Sequence, residues 1–230
     1  LAESPRTIAS LTGDFNAHRT TLLRQMKALE EVGLVVARRD GTYSVGPHLI
    51  QIAYAAVESF ELRPVAAAPL RELQERVGHT VHLAQLLDDA IVYVDKVEAP
   101  SGVRLYSRVG KTVIPQCSGV GKAILSQLDA TDVDRILTGC TWPAYTPNTL
   151  TSRAELDRQL IQIRHDGYAV DDGEFEGFLN CVAVPITSRT GSVVGAVSIT
   201  ALQAVAPLET LKPLVPELRR TAAAITRHLT

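Results

Sequence analysis

A chain of 230 residues is long enough for two compact domains or one large one, and its 46% hydrophobic content supplies material for a packed core. With 21% charged residues and a net charge of −2 it is not a globally basic nucleic-acid binder, so any DNA contact has to come from a local patch. There is no apolar run near the ~18 residues of a membrane span. Leu1 to Thr7 lacks the order of a secretory signal, and the 3 cysteines, Cys117, Cys140 and Cys181, are odd in number and far apart. That argues against a disulfide framework or a zinc finger and for a reducing, cytoplasmic setting.

In chain order, Ile8 and Leu11 predict a short helix over Arg6 to Thr12, broken by Gly13. Asn16 is placed as the N-cap of a second helix from Ala17 to about Val32. In that helix Leu22, Leu23, Met26, Leu29 and Val32 recur at helical spacing and predict one buried stripe, with Gly33 as the stop. Leu34 to Arg38 and Thr42 to Val45 flank Asp40-Gly41, a strong hairpin signal. Helix, turn, helix, hairpin is the order of a winged helix-turn-helix. Pro47 suits the first turn of a third helix, Leu49 to Phe60, which reads as a connector, and a fourth follows over Pro64 to Val77 with Pro69 distorting it.

Beyond Gly78 the pattern turns β-rich. Val81 to Leu87 and Ile91 to Val97 predict a hairpin around Asp88-Asp89, and Val103 to Ser107 a third strand. A helix is expected from Ser118 to Leu128, and Ser152-Arg-Ala-Glu155 opens another as a capping box, ending at Gly167. Cys181 to Thr187 and Ser192 to Thr200 predict two more strands, and Leu208 to Leu229 a closing helix. The second half is therefore an antiparallel sheet flanked by helices, and the whole chain is α+β.

A recognition helix sets its first turn against base edges in the major groove. Here that turn carries Asn16, His18, Arg19, Thr20 and Thr21, with Arg24 and Lys27 further along and Arg38 and Arg39 in the expected wing. Such residues suit bases and phosphates, while Glu30 and Glu31 lie at the far end. The bland alternative is an ordinary solvated face, and the 6 basic and 5 acidic side chains of residues 1–46 do not decide between the two.

In the second half, Ser118 as N-cap with Gly119-Val120-Gly121 offers bare backbone amides at a helix start, a potential anion site, with Lys122 adding charge if it does not point outward. Glycine packing is the alternative. It is no nucleotide loop, because the four-residue spacer is missing and Ala123 stands where a hydroxyl would bind magnesium. Val194, Ala196, Ser198 and Thr200 share one strand face, whose hydroxyls suit either a polar pocket or edge polarity. Asp171 and Asp172, before Gly173, read as ligand acceptors or as turn caps, and Cys181 as a contact residue or a small buried hydrophobe. A rival reading is a small sensor-domain enzyme using its cysteines. Against it, no Cys-x-x-Cys, Gly-x-Ser-x-Gly or His-Glu-x-x-His occurs. His79 and His82, three apart where the chain enters a strand, are expected to face different ways and not to hold a metal.

His18-Arg-Thr-Thr-Leu-Leu-Arg-Gln-Met-Lys-Ala-Leu-Glu-Glu-Val-Gly33-Leu-Val and Gly41-Thr-Tyr-Ser-Val-Gly46-Pro-His-Leu resemble the winged-helix block of the IclR family of bacterial regulators. Arg108-Val-Gly110, Ser118-Gly-Val-Gly-Lys-Ala123, Arg164-His-Asp-Gly-Tyr-Ala-Val-Asp171-Asp172-Gly-Glu174 and Asn180-Cys-Val-Ala-Val-Pro185 resemble its effector-binding domain. The resemblance implies a winged helix-turn-helix over residues 1–46, a linker helix over 47–62 and a GAF-like effector-binding domain over 63–230. Members carry a further helix before the one at Arg6, of which only Leu1-Ala2-Glu3-Ser4 would remain here. It further implies effector contacts at Gly119 and Val120 through their amides and at Asp171, Cys181, Ser198 and Thr200, with Leu105, Val113, Ile114 and Leu179 setting size. The implied partners are a double-stranded DNA operator, a small organic-acid effector and further copies of the chain in a homodimer or homotetramer. No membrane partner, cofactor, metal or catalytic residue is implied.

Overall fold

The computed structural model describes residues 1, 4–100 and 107–229. The strand expected over Val103 to Ser107, and Leu105 with it, therefore lies outside the described residues except for Ser107. The chain divides into two compact units, Leu1–Ser59 and Phe60–Thr230.

The first unit runs β1 (Arg6–Thr7), α1 (Ile8–Phe15), α2 (Arg19–Glu31), β2 (Val35–Ala37), β3 (Thr42–Val45) and α3 (His48–Glu58). Its strands form an antiparallel sheet in the order β1-β3-β2. This is a helix-turn-helix followed by a wing. Three expectations are corrected. Arg6 and Thr7 pair with Tyr43 and Thr42 as an edge strand, and Thr7 caps α1 by accepting from the Ser10 amide at 3.2 Å. Gly13 lies inside α1, which ends at Asn16 in the left-handed region (φ 45°). Asn16 thus closes the first helix, and the N-cap of α2 is His18, whose Nδ1 accepts from the Thr20 amide.

The stripe along α2 is also narrower than its spacing suggests. Leu22 and Met26 are buried with Ile8, Leu11 and Val35, whereas Leu23, Leu29 and Val32 are exposed. This core is too small to cover the last turn of the helix.

The second unit is built on a five-stranded antiparallel sheet, β5-β4-β8-β7-β6. The strands are β4 (Thr80–Leu87), β5 (Ala90–Val97), β6 (Ala169–Asp172), β7 (Leu179–Thr187) and β8 (Val193–Leu202). The helices are α4 (Leu62–Val77), α5 (Gly119–Leu125), α6 (Ala130–Ile136), α7 (Arg153–Asp166), α8 (Leu208–Leu211) and α9 (Val215–His228). Pro69 sits within α4 without ending it. The single closing helix expected over Leu208 to Leu229 is instead α8, a 3-10 turn at Lys212–Leu214 and α9. Pro213 and Pro216 lack the amide a continuous helix needs, and each falls in the first turn of its segment.

Side chains alternate along each strand, so the sheet has two apolar faces. Val81, Leu83, Val182, Val184, Val197 and Ile199 form one core with Leu70 and Leu73 of α4 and Leu218 and Ile225 of α9. Ala84, Ala169, Ala183 and Ala196 form the other with Val120, Ala123 and Ile124 of α5 and Leu156 and Leu160 of α7. Residues on this second face are small because α5 lies close against them, and beyond the alanines the same face turns polar.

Candidate functional site

Strand register builds the polar end of the second face. His82 pairs with Ser198 and Thr80 with Thr200 between β4 and β8. Thr200 pairs with Cys181 and Ser198 with Ala183 between β8 and β7, and Cys181 pairs with Asp171 between β7 and β6. Neighbouring strands lie ~4.8 Å apart, so His82, Ser198, Thr200, Cys181 and Asp171 make a band running across four strands. They line one cavity together with Tyr93, Ser107, Ile114, Cys117, Ser118, Gly119, Val120, Phe175, Glu176 and Leu179. The cavity and its open mouth together span about 580 Å³ of space. Of the residues expected at its wall, Gly119, Val120, Asp171, Cys181, Ser198, Thr200, Ile114 and Leu179 border it. Val113 does not, and is packed in the core beneath α5.

The start of α5 supplies the roof. Ser118 caps it, accepting from the Gly121 amide at 3.2 Å and donating to the Ile114 carbonyl at 3.0 Å. The glycines answer to packing. A Cβ on Gly119 would sit 2.8 Å from Cys181 Sγ, and one on Gly121 would sit 2.5 Å from the Pro115 carbonyl oxygen. That closeness also sets Gly119 against Cys181 of β7, on the wall of the cavity. The helix has only 7 residues, so any anion there is held by individual N–H groups rather than by a long helix dipole.

Lys122 does not charge the pocket. It is fully buried, ion-paired with Glu174 Oε1 and donating to Gln159 Oε1 at 2.8 Å. The loop after β6 is thereby tied to α5. The Glu174 amide donates to Asp171 Oδ1 at 2.8 Å, and the Glu174 carbonyl accepts from Thr149 Oγ1 at 2.6 Å. Phe175 is held edge-on by Tyr145 at 4.8 Å. Asp171 therefore serves as a turn cap through one oxygen while bordering the cavity. Asp172 leaves its carbonyl to Asn148.

No lysine or arginine lines the cavity among the described residues. Burial, with Glu174 adding repulsion, pushes the Asp171 carboxyl up to about 7 against the opposing amide of Glu174 and the Lys122 ammonium. Burial, reinforced by the nearby Lys96 ammonium, pushes the His82 imidazole down to about 3. Its Nε2 lies 2.7 Å from Ser107 Oγ and its Nδ1 3.3 Å from Thr200 Oγ1. Burial likewise drives the Cys117 and Cys181 thiols up to about 12, which removes the thiolate that cysteine chemistry requires. Among the described residues no group of three or more His, Cys, Asp or Glu could hold a metal ion. Ser107, Tyr93, Phe175 and Glu176 escaped the sequence reading, which weighed His82 only as a metal ligand and Cys117 only among the cysteines of the enzyme reading. The alternation of β4, which sets His82 on the face of Ala84, is the signal that could have placed His82 on the wall.

In the first unit His18, Arg19 and Thr20 are exposed at the start of α2 with Arg24 one turn on, Thr21 is half-buried, and Asn16 is exposed at the preceding turn. The His18 ring is held at 2.8 Å by Thr20 Oγ1. Arg38 and Arg39 are exposed at the wing turn, where Asp40 accepts from the Thr42 amide and hydroxyl at 3.0 and 2.6 Å. Among the described residues none of these arginines forms a salt bridge, although the Arg38 charge is among the causes that lower the Asp40 carboxyl, while Glu30 accepts from the Ala37 amide at 3.2 Å. No helix among them is long and apolar enough to cross a membrane.

Residues 54–227 match the family model described as bacterial transcriptional regulator IclR, C-terminal. The HTH-type transcriptional regulator XynR of Escherichia coli is 31% identical over 212 residues, 92% of this chain and 84% of that protein. The crystal structure of the Thermotoga maritima IclR superposes with a TM-score of 0.79 at 31% identity, covering 98% of this chain and 92% of that one. An IclR homologue from Microbacterium hydrocarbonoxydans, solved with 4-hydroxybenzoate, shares the fold with a TM-score of 0.81 at 24% identity, over 97% and 91% of the two chains.

Proposed function

Because the chain belongs to the IclR family of bacterial transcriptional regulators, we propose that its first unit reads an operator in double-stranded DNA and that a small organic acid bound in its second unit modulates that reading. The chain is a regulator and not an enzyme, as its named relatives are. Residues 1–46 then serve as the DNA-binding module, 47–62 as the linker and 63–230 as the effector domain.

The observation that carries the effector reading is convergence. Gly119, Val120, Asp171, Cys181, Ser198 and Thr200 come from α5, β6, β7 and β8, yet all border one cavity. The acid's carboxylate takes the Gly119 and Val120 amides, because with Lys122 neutralised only neutral donors remain there. Ser198 and Thr200 supply hydroxyls, and Asp171 takes a hydroxyl or hydrate of the ligand on the oxygen that Glu174 does not use. The 4-hydroxybenzoate complex of a protein sharing this fold is consistent with such a guest.

Arg19, Thr20, Thr21 and Arg24, with Asn16 and His18, meet the major groove, and Arg38 and Arg39 the adjacent backbone or minor groove. Copies of the chain associate through α3, none of whose residues is buried and whose Ile50, Ile52 and Tyr54 are 71%, 49% and 64% exposed. A homodimer built this way, or a homotetramer formed from two of them, presents paired recognition helices to a palindromic site.

The test titrates small carboxylic acids by calorimetry into the full chain and into Asp171→Ala/Ser198→Ala. It then repeats a gel shift on an operator selected from random duplexes, with and without the acid that binds. Effector and operator affinities are coupled, so the acid must shift the gel titration in the wild type. It must do so far less in the double variant. Wild-type affinity in that variant, with the fold intact, removes these residues from the site.

A further inference from the structure

We propose that His82 and Ser107, at the β4 end of the cavity, form the specificity-determining pair of the effector site, selecting an acid that carries a hydroxyl and rejecting a second carboxylate. The inference rests on the small-acid reading above and adds the class of acid.

The geometry is a chain of three groups: Ser107 Oγ, the His82 ring and Thr200 Oγ1, joined at 2.7 and 3.3 Å, with all three residues on the cavity wall. A neutral imidazole has one N–H and one lone pair. Whichever tautomer is present, one hydroxyl gives its proton to the ring and the other receives the ring's proton. The second therefore keeps its own O–H, which turns to the guest or, from Thr200, to Cys181. The cluster thus presents a guest with a hydroxyl that can donate and with several lone pairs, and with no net charge. That pattern matches a hydroxyl, which donates once and accepts.

Neutrality is built into the surroundings. His82 and Ser107 are buried, and the His82 ring lies 5.5 Å from that of Tyr93. On β5, Lys96 pairs with His82 across the strands, its ammonium donating to the Ser107 carbonyl at 3.2 Å and bridging to Glu98 at 2.9 Å. A cation there disfavours a second one on the ring, and the Ser107 backbone is fixed where its hydroxyl meets the imidazole. With Asp171 also on the wall and no lysine or arginine lining it among the described residues, a second carboxylate would find nothing to neutralise it. A site built to hydrogen-bond a hydroxyl discriminates strongly against the analogue lacking it, because its own polar groups are left unpaired.

The experiment measures dissociation constants by calorimetry at pH 7.5 for the full chain with matched acids: lactate and propionate, 3-hydroxybutyrate and butyrate, 4-hydroxybenzoate and benzoate, and the dicarboxylate succinate. In at least one pair the hydroxy acid is expected to bind about tenfold or more tightly than its partner, with succinate undetectable. In His82→Phe and in Ser107→Ala that ratio is expected to fall below about threefold while affinity for the unsubstituted acid stays within about threefold. A merely structural role would weaken both members alike. Ser107→Ala removes a single oxygen, so it decides the matter if His82→Phe does not fold. Equal affinities within every pair, tight succinate binding, or a ratio unchanged in Ser107→Ala overturns the inference and leaves the small-acid reading standing. No binding by any acid at 10 mM sinks both.

Discussion

Replacing Lys122 with methionine tests how the pocket is held. The ammonium and its partner carboxylate are 0% and 4% exposed, and among the described residues the other oxygen of Glu174 has no hydrogen-bond partner. Removing the lysine therefore strands a buried carboxylate and frees Gln159 Oε1. Breaking one side of a buried pair costs about 3–5 kcal/mol, and in a protein of this size each kcal/mol lowers Tm by about 2–4 °C. A fall of roughly 6–20 °C is thus expected. Replacing both partners, in Lys122→Met/Glu174→Leu, should recover most of it, because no orphaned charge remains.

Urea denaturation followed through the fluorescence of Trp142, the chain's 1 tryptophan, reads this directly, since Trp142 packs against the core beneath α5. The loss should also depend on pH. Burial already raises the Glu174 carboxyl, and Lys122 opposes that rise. Without Lys122 the group rises further, so the single variant regains stability as the pH falls and Glu174 takes a proton. A pH-independent loss below about 1 kcal/mol, less than a net hydrogen bond to a charged group, would refute the reasoning.

Two further groups give opposed pH slopes. Asp171, raised from 3.8 to about 7, contributes stability that is full below 3.8 and lost as the pH rises through about 7. His82, lowered from 6.5 to about 3, contributes stability that is present above 6.5 and lost as the pH falls toward about 3. Between about pH 4 and 6.5, relative to the wild type, the Tm of His82→Phe should rise and that of Asp171→Asn should fall on acidification. Identical slopes in all three proteins contradict the assignment. Gly121→Ala puts a methyl 2.5 Å from the Pro115 carbonyl oxygen and should cost at least about 1–3 kcal/mol in the same denaturation assay; a neutral effect would mean that the α5 start is not tightly packed. Arg19→Ala and Arg24→Ala should each lower the slope of log affinity against log salt by about 1 on duplex DNA, and an unchanged slope places those side chains off the phosphates.

The sequence made legible whatever is local in the chain. The alternation along β8 set Ser198 and Thr200 on one face, and Ser118-Gly-Val-Gly marked a helix start, because one strand or one turn decides each. Boundaries failed where a neighbouring segment decided: Asn16 closes α1 in the left-handed region and leaves the N-cap of α2 to His18, and Arg6 and Thr7 pair with β3 across 34 intervening residues, from Thr7 to Thr42. The cavity was reached only through the family resemblance, for the same reason on a larger scale. It is a row cut across β4, β8, β7 and β6, and nothing in any one strand announces its neighbours.

His82 is the sharpest case. Within its own strand it is a lone histidine three residues from His79, and only pairing with β8 gives it Thr200 as a partner. Lys122 is its counterpart: a cation beside a glycine turn reads as an anion ligand until Glu174, 52 positions later, is found against it. Both corrections have one physical cause. A buried charge must find its opposite and a buried neutral group its hydrogen bonds, and in this unit both needs are met from distant sequence. The cavity wall is left with hydroxyls, amides, an imidazole and the carboxyls of Asp171 and Glu176, and with no lysine or arginine among the described residues, so it tells guests apart by their pattern of donors and acceptors and disfavours a second negative charge.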